Sequence, residues 1–236
     1  MKQGKPVWGL LQRRECPLPT LRGWIVLSFT CAALIVFTAR GAHSFLAVND
    51  PVPGGVLVVE GWLADYALEE AMTEFKRDHY SKLFVTGGPI EQGAPLSEYK
   101  SFAELGTATL VRLGLTTNAV QAVPAPKVRQ DRTYASAVAL KNWLRQHGVA
   151  ETNFNIVSVG AHSRRTRLLF DKALGKGCRV GIIAVENRDY DPKRWWESSD
   201  GVRTVTDEMI AYWYARLLFR PSKQAEQESF RVGFDH

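Results

Sequence analysis

Five short apolar runs, each followed by a stretch of helical period, constrain this chain more than any other feature. The runs fall at 56–59, 83–86, 119–123, 155–159 and 180–185, and the helical stretches at 65–80, 97–113, 131–147, 163–174 and 202–219. Breakers sit where the pattern changes: Gly87-Gly88-Pro89, Gly114, Pro124, Pro126, Gly148 and Pro221. A strand with one wet face alternates polar and apolar residues. These runs do not, so both of their faces are buried, and strands of that kind separated by helices pair in parallel. The expected fold is α/β, a Rossmann-like, doubly wound, mostly parallel five-stranded sheet over residues 54–220. With the strand order 3-2-1-4-5, the ligand crevice opens at the carboxyl ends of strands one and four, between residues 60–65 and 160–165.

One segment does not belong to that pattern. Residues 23–39 read GWIVLSFTCAALIVFTA, uncharged and bracketed by Arg22 and Arg40. Roughly 17 apolar residues reach the short end of a spanning helix. The net charge of the chain is +6, but Lys2, Lys5, Arg13, Arg14 and Arg22 face only Glu15 before the span. The basicity therefore reports topology, with the N-terminus inside, rather than a nucleic-acid footprint. The resulting divisions are a cytoplasmic basic arm at 1–22, a transmembrane anchor at 23–40, a linker at 41–53, the domain, and a polar tail at 221–236. Cleavage as a signal peptide is the rival reading of the span. Arg40, standing between the small residues Ala39 and Gly41, argues against it. Of Cys16, Cys31 and Cys178, only the last falls in the domain, which excludes an internal disulfide there.

Chemistry is expected where cations crowd a helix N-terminus, because the helix dipole disfavours them there. His162, Arg164, Arg165 and Arg167 stand at the start of the helix after the fourth strand. Arg129, Arg132 and the hydroxyl of Thr133 stand at the start of the one before it. Two readings are open: an anionic ligand held by amides and arginine forks, or an internal ion-pair network with Glu60, Glu186 or Glu208. Asp131 reads as a helix N-cap rather than as a catalytic acid. Gly87 and Gly88 let backbone approach a ligand, or simply make a tight turn. Glu60 lies beside Trp62, whose desolvation would raise the carboxyl pKa and suit it to catalysis. His162 suits general acid/base work or structural hydrogen bonding equally. Glu208 is either an exposed helix position or a buried acid paired with a site arginine. The Trp195-Trp196 pair reads as a lid over the sheet edge, with a contact patch as the alternative. HExxH, GxSxG and Walker patterns are absent from the sequence.

The series VVEGW (58–62), FVTGGP (84–89), Ser97-Glu98, DRTYASA (131–137), VSVGAHSRRTRLLF (157–170) and Glu208 resembles the ElyC/SanA/YdcF-type family of bacterial envelope proteins over roughly residues 54–219, a full domain's length. The resemblance implies a Rossmann-like fold, a membrane anchor and a role in cell-envelope or cell-wall biogenesis. It carries Gly87, Gly88, Ser97, Glu98, Thr133, His162, Arg165 and the acid at Glu208 over as site residues. Two departures fall at the expected ligand: Glu60-Gly61-Trp62 replaces a glycine-rich turn, and Arg132 replaces an asparagine.

The combined expectation is a single-pass protein of the bacterial inner membrane with its domain outside the cytoplasm. The domain binds, and in one version hydrolyses or transfers, an anionic, phosphate-bearing and lipid-linked envelope precursor. A non-catalytic nucleotide-like binder or an envelope-interaction domain is the alternative. His162 and Glu60 are the candidate catalytic residues; Gly87, Gly88, Ser97, Glu98, Arg129, Arg132, Thr133, Arg164, Arg165 and Glu208 are the candidate ligand residues. The bilayer and a small anionic ligand are the expected partners. The sequence assigns no cofactor, no metal and no protein partner. On the ligand reading, Arg165→Ala leaves the unliganded fold intact; on the ion-pair reading, it strands a carboxylate.

Overall fold

The computed structural model describes residues 19–221. Most of the basic arm, Cys16 and nearly all of the polar tail lie outside the described residues. The chain divides after Ala39 into two units. The first holds most of helix α1, Leu21–Leu46, the one described helix long and apolar enough to cross a membrane. No proline falls between Arg40 and Leu46, and α1 runs on past Gly41 through the first part of the segment read as a linker. There His43 and Leu46 are buried in the second unit.

The second unit is the α/β domain. Its strands are β1 (Val56–Glu60), β2 (Leu83–Gly87), β3 (Val120–Pro124), β4 (Asn153–Val159) and β5 (Arg179–Val185). They form one all-parallel sheet in the order β3-β2-β1-β4-β5. The connecting helices are α2 (Asp65–Arg77), α3 (Phe102–Arg112), α4 (Arg132–Gln146) and α5 (Ser163–Leu174), with α6 (Ser199–Leu217) last.

All five residues of β1 are buried, as a strand covered on both faces requires. Their side chains alternate between two cores. Val56 and Val58 join Phe84, Phe154 and Ile156 under α4, α5 and the end of α6. Leu57 and Val59 join Leu83, Val85 and Val157 under α2 and α3. The helix after β1 thus covers one face and the helix after β4 the other, which makes the gap between their carboxyl ends the topological switch point.

Local chemistry moved several boundaries. Helix α3 begins at Phe102 rather than 97, because Ser101 and Glu104 form a reciprocal capping box. Gly61 and Gly106 let α3 cross the end of β1: a Cβ on Gly61 would lie 2.2 Å from the carbonyl oxygen of Phe102. Asn155, fully buried in β4, accepts from the Val52 amide at 2.8 Å and donates to the Val52 carbonyl at 2.7 Å, pinning the entering chain to the sheet. The Trp195-Trp196 pair forms a short 3-10 turn. Trp195 packs on the small cluster of Leu46, Ala161, Tyr190 and Val205, and Trp196 stays exposed.

Candidate functional site

Glu60 ends β1 and Ser158 lies near the end of the neighbouring β4, so their side chains meet across the switch point. Ser158 Oγ donates to Glu60 Oε2 at 2.6 Å, and Thr166 Oγ1, from the first turn of α5, donates to the same oxygen at 3.4 Å. Between β4 and α5 a 3-10 turn, Gly160–His162, carries His162 over Glu60. His162 Nε2 lies 3.5 Å from Glu60 Oε1, an ion-pair distance longer than a normal hydrogen bond. On the other side, His162 Nδ1 donates to Glu208 Oε1 at 2.8 Å. Arg165 then grips Glu208 with a fork, Nε to Oε2 at 2.8 Å and Nη2 to Oε1 at 2.9 Å. Arg165 Nη2 also lies 3.0 Å from His162 Nδ1; with the imidazole protonated these are two donors sharing one carboxylate oxygen, not a bond to each other.

Electrostatics follow from that geometry. Burial disfavours the His162 charge, but the nearby Glu60 carboxylate and the hydrogen bond that Nδ1 donates to Glu208 outweigh it and raise its pKa from 6.5 to about 9. Burial likewise works against Glu208, yet the hydrogen bonds from Arg165 and His162 hold its pKa at about 2. Glu60 is buried too, but His162, Ser158 and Arg165 together hold its carboxyl below the usual range. The sequence expectation of a raised Glu60 pKa is corrected: Trp62 packs edge to face on His162, at 5.2 Å and 90°, and the Glu60 carboxyl is desolvated by its own burial, which the neighbouring cations and Ser158 overcome.

The network forms one wall of a cavity of about 620 Å³ at the carboxyl ends of the strands. Of the residues singled out in the sequence, Glu60, Gly87, Gly88, Arg129, Arg132, Thr133, His162, Arg165 and Glu208 line it. Three do not. Ser97 Oγ accepts from the Tyr99 amide at 3.1 Å in a local turn. Glu98 is exposed on a shallow depression beside α3. Arg164 turns the other way: its Nε donates to the Phe45 carbonyl, and its guanidinium lies 4.1 Å from the Phe45 ring centroid.

The two glycines also part company. A Cβ on Gly87 would lie 2.8 Å from Phe102 Cβ, so α3 demands that glycine; at Gly88 it would meet nothing within 4 Å. Asp131 occupies the N-cap position of α4 in the left-handed region, φ 58° and ψ 39°, and its side chain makes no cap bond. The carboxylate lines the cavity, where burial pushes its pKa up against the pull of Arg165.

Several lining residues escaped the sequence reading of the site, Trp62, Asp131 and Thr86 among them. Trp62 and Asp131 were noticed for other roles. Thr86 was passed over as a strand residue, yet its Oγ1 is buried with no hydrogen-bond partner.

The crowding of cations at the start of α5 has an internal answer. His162 and Arg165 meet Glu60 and Glu208, Arg164 meets a carbonyl, and Arg167 pairs with Asp50 at 2.8 Å. The second cationic loop differs. Lys127 lies 3.7 Å from Glu91, but Arg129 and Arg132 are exposed and have no ion-pair partner among the described residues. No group of three or more potential metal ligands occurs among the described residues. Compared with known proteins, the chain matches no family model and no curated sequence.

Proposed function

We propose that this chain is a membrane-anchored factor of bacterial envelope biogenesis whose domain binds an anionic, phosphate-bearing precursor in the cavity at the sheet's carboxyl end. The observation that carries the reading is the pair Arg129 and Arg132, two cavity arginines that lack an acidic partner among the described residues. Arg132 opens α4, whose N-cap side chain gives no bond to the first-turn amides. Those amides and a guanidinium fork suit a phosphate. The buried, unpartnered Thr86 hydroxyl and the open space at Gly88 add a donor and room for close approach. A cavity of about 620 Å³ suits a ligand larger than phosphate alone.

Binding is favoured over turnover by His162. Both its ring nitrogens face carboxylates, so it supplies a fixed positive charge rather than a mobile proton. Hydrolysis or transfer would rest on Asp131, the cavity carboxylate without an ion-pair partner among the described residues. The apolar α1 supports membrane attachment, and the resemblance to ElyC/SanA/YdcF-type proteins supplies the envelope process.

The test is thermal melting of the full chain in nanodiscs with inorganic pyrophosphate. Wild type should be stabilised, and Arg129→Ala and Arg132→Ala should each lose most of the shift. Equal shifts in all three proteins would overturn the site. Mass spectrometry of ligand co-purifying with the solubilised protein then identifies the natural anion.

A further inference from the structure

Helix α6 ends in five large apolar side chains at the spacing i, i+3, i+4, i+7, i+8: Ile210, Trp213, Tyr214, Leu217 and, at its C-cap, Leu218. That spacing makes one stripe, and such a stripe normally faces a core. The core of this domain takes a different face of the helix. At about 100° per residue, the buried Val205 and Ala215 lie on the side away from Ile210. The five stripe residues are between 45% and 71% exposed, a surface that needs an occupant.

The end of α1 limits what that occupant can be. Phe45 stacks on Trp213, ring centroids 6.4 Å apart and planes 15° from parallel, and meets Tyr212 edge-on at 5.5 Å. Arg164 holds the arrangement, donating to the Phe45 carbonyl with its guanidinium over the Phe45 ring. Phe45 follows Arg40, where the apolar span stops, by five residues. Both belong to α1, and five helical residues rise only about 8 Å. The headgroup layer on one side of a bilayer is itself roughly 5–8 Å thick. Trp213, at one edge of the stripe, is thereby kept within reach of that layer.

Charge points the same way. From Met209 to Arg220 the chain has no acidic residue, and the exposed Arg216 borders the Trp213 side of the stripe. Tryptophan, tyrosine and leucine on one face with arginine at its edge is the composition of a helix lying in a membrane interface, and arginine also meets anionic headgroups. Towards the amino end of α6 the exposed Asp207 and Arg203 come next on this face and mark where the apolar stretch stops.

We propose that the α6 stripe is a second membrane contact: it lies among the phospholipid headgroups of the leaflet from which α1 emerges, and with α1 it fixes the orientation of the domain on the bilayer. The proposal rests on the reading of α1 as a membrane anchor and is independent of the anion site. A single tether leaves a domain free to tilt. A contact three turns long on a second helix removes that freedom.

The experiment uses the full chain, its three cysteines changed to alanine, in nanodiscs of phosphatidylcholine and phosphatidylglycerol. A single nitroxide is attached at Leu34→Cys in the span, at Ile210→Cys or Leu217→Cys on the stripe, or at Glu69→Cys, an exposed position of α2 on the other face of the sheet. Collision of the label with oxygen, which concentrates in lipid, is compared with collision with a nickel chelate, which stays in water. The oxygen-to-nickel ratio at 210 and 217 should be severalfold above that at 69 and approach that at 34. Adding Leu217→Glu, a surface change that leaves both cores intact, should bring the ratio at 210 down to that at 69. Ratios at 210 and 217 equal to that at 69 place the stripe in water; they overturn the inference and leave the anchor standing. Labels at 210 and 217 shielded from both reagents mean that protein rather than lipid covers the stripe, which also overturns it. A water-like ratio at 34 overturns the anchor reading itself, and the inference with it.

Discussion

Arg165 and Glu208 form a two-pronged ion pair, 2.8 and 2.9 Å, that ties the first turn of α5 to the middle of α6. Both side chains are largely buried, and each also touches the His162 ring. Arg165→Ala should therefore strand a buried carboxylate and cost roughly 3–5 kcal/mol. In a domain of this size, that lowers the melting temperature by about 10 °C. Arg165→Lys should recover only part of it, because an ammonium cannot reproduce the fork. Melting curves without ligand decide the matter: an Arg165→Ala protein as stable as wild type would show that the pair contributes nothing.

Stability should depend on pH through the same network. His162 is raised from 6.5 to about 9, so its contribution is complete below about pH 6.5 and is lost as pH rises through 9. Glu208 is lowered from 4.5 to about 2, so its contribution is complete above about pH 4.5 and is lost as pH falls through 2. Wild type should lose stability between pH 7 and 10, and His162→Gln, less stable at the outset, should lose less over that interval. Parallel denaturation curves for the two proteins across that range would contradict the assignment.

Removing the Glu60 charge tests the other half of the network. In Glu60→Gln the largest influence favouring the imidazolium disappears. The His162 pKa should fall by at least about one unit, read from its ring proton shifts by NMR. An unmoved titration would mean that Glu208 alone holds the charge.

The glycines of the site divide by what stands next to them. Gly61→Ala drives a Cβ into the Phe102 backbone at 2.2 Å and should cost at least about 2 kcal/mol or prevent folding. Gly88→Ala meets nothing within 4 Å and should melt close to wild type while weakening pyrophosphate binding. A Gly88→Ala protein that binds normally would remove that turn from the site.

Charge placement around the span predicts an orientation with the domain outside the cytoplasm. A reporter fused after Arg220 should be active only if it works outside the cytoplasm, and the intact mass of the purified protein should include residues 1–22. Cytoplasmic reporter activity reverses the topology, and a mature terminus near Ala42 makes α1 a cleaved signal.

Much of the fold was legible in the sequence because it is written in local patterns. Five uninterrupted apolar runs between amphipathic helices admit little but a covered parallel sheet, and that arrangement carries residues 60–65 and 160–165 to one end of it. The parallel strand order then puts Glu60, His162 and Gly88 at a common cavity. The sign of the local charge was not legible. The four cations at the start of α5 left two readings open because Glu208, Asp50 and the Phe45 carbonyl are distant in sequence. Only folding brings α6 and the entering chain against α5. The same remoteness hid the Thr86 hydroxyl, whose lack of a partner is a property of its surroundings rather than of its neighbours in the chain. The stripe on α6 was concealed for the opposite reason. Its spacing promises a core helix, and only the tertiary structure, by burying Val205, Ala215 and Phe219, decides which face of it meets solvent. Sequence periodicity sets which residues share a face; what that face touches is settled by elements far along the chain.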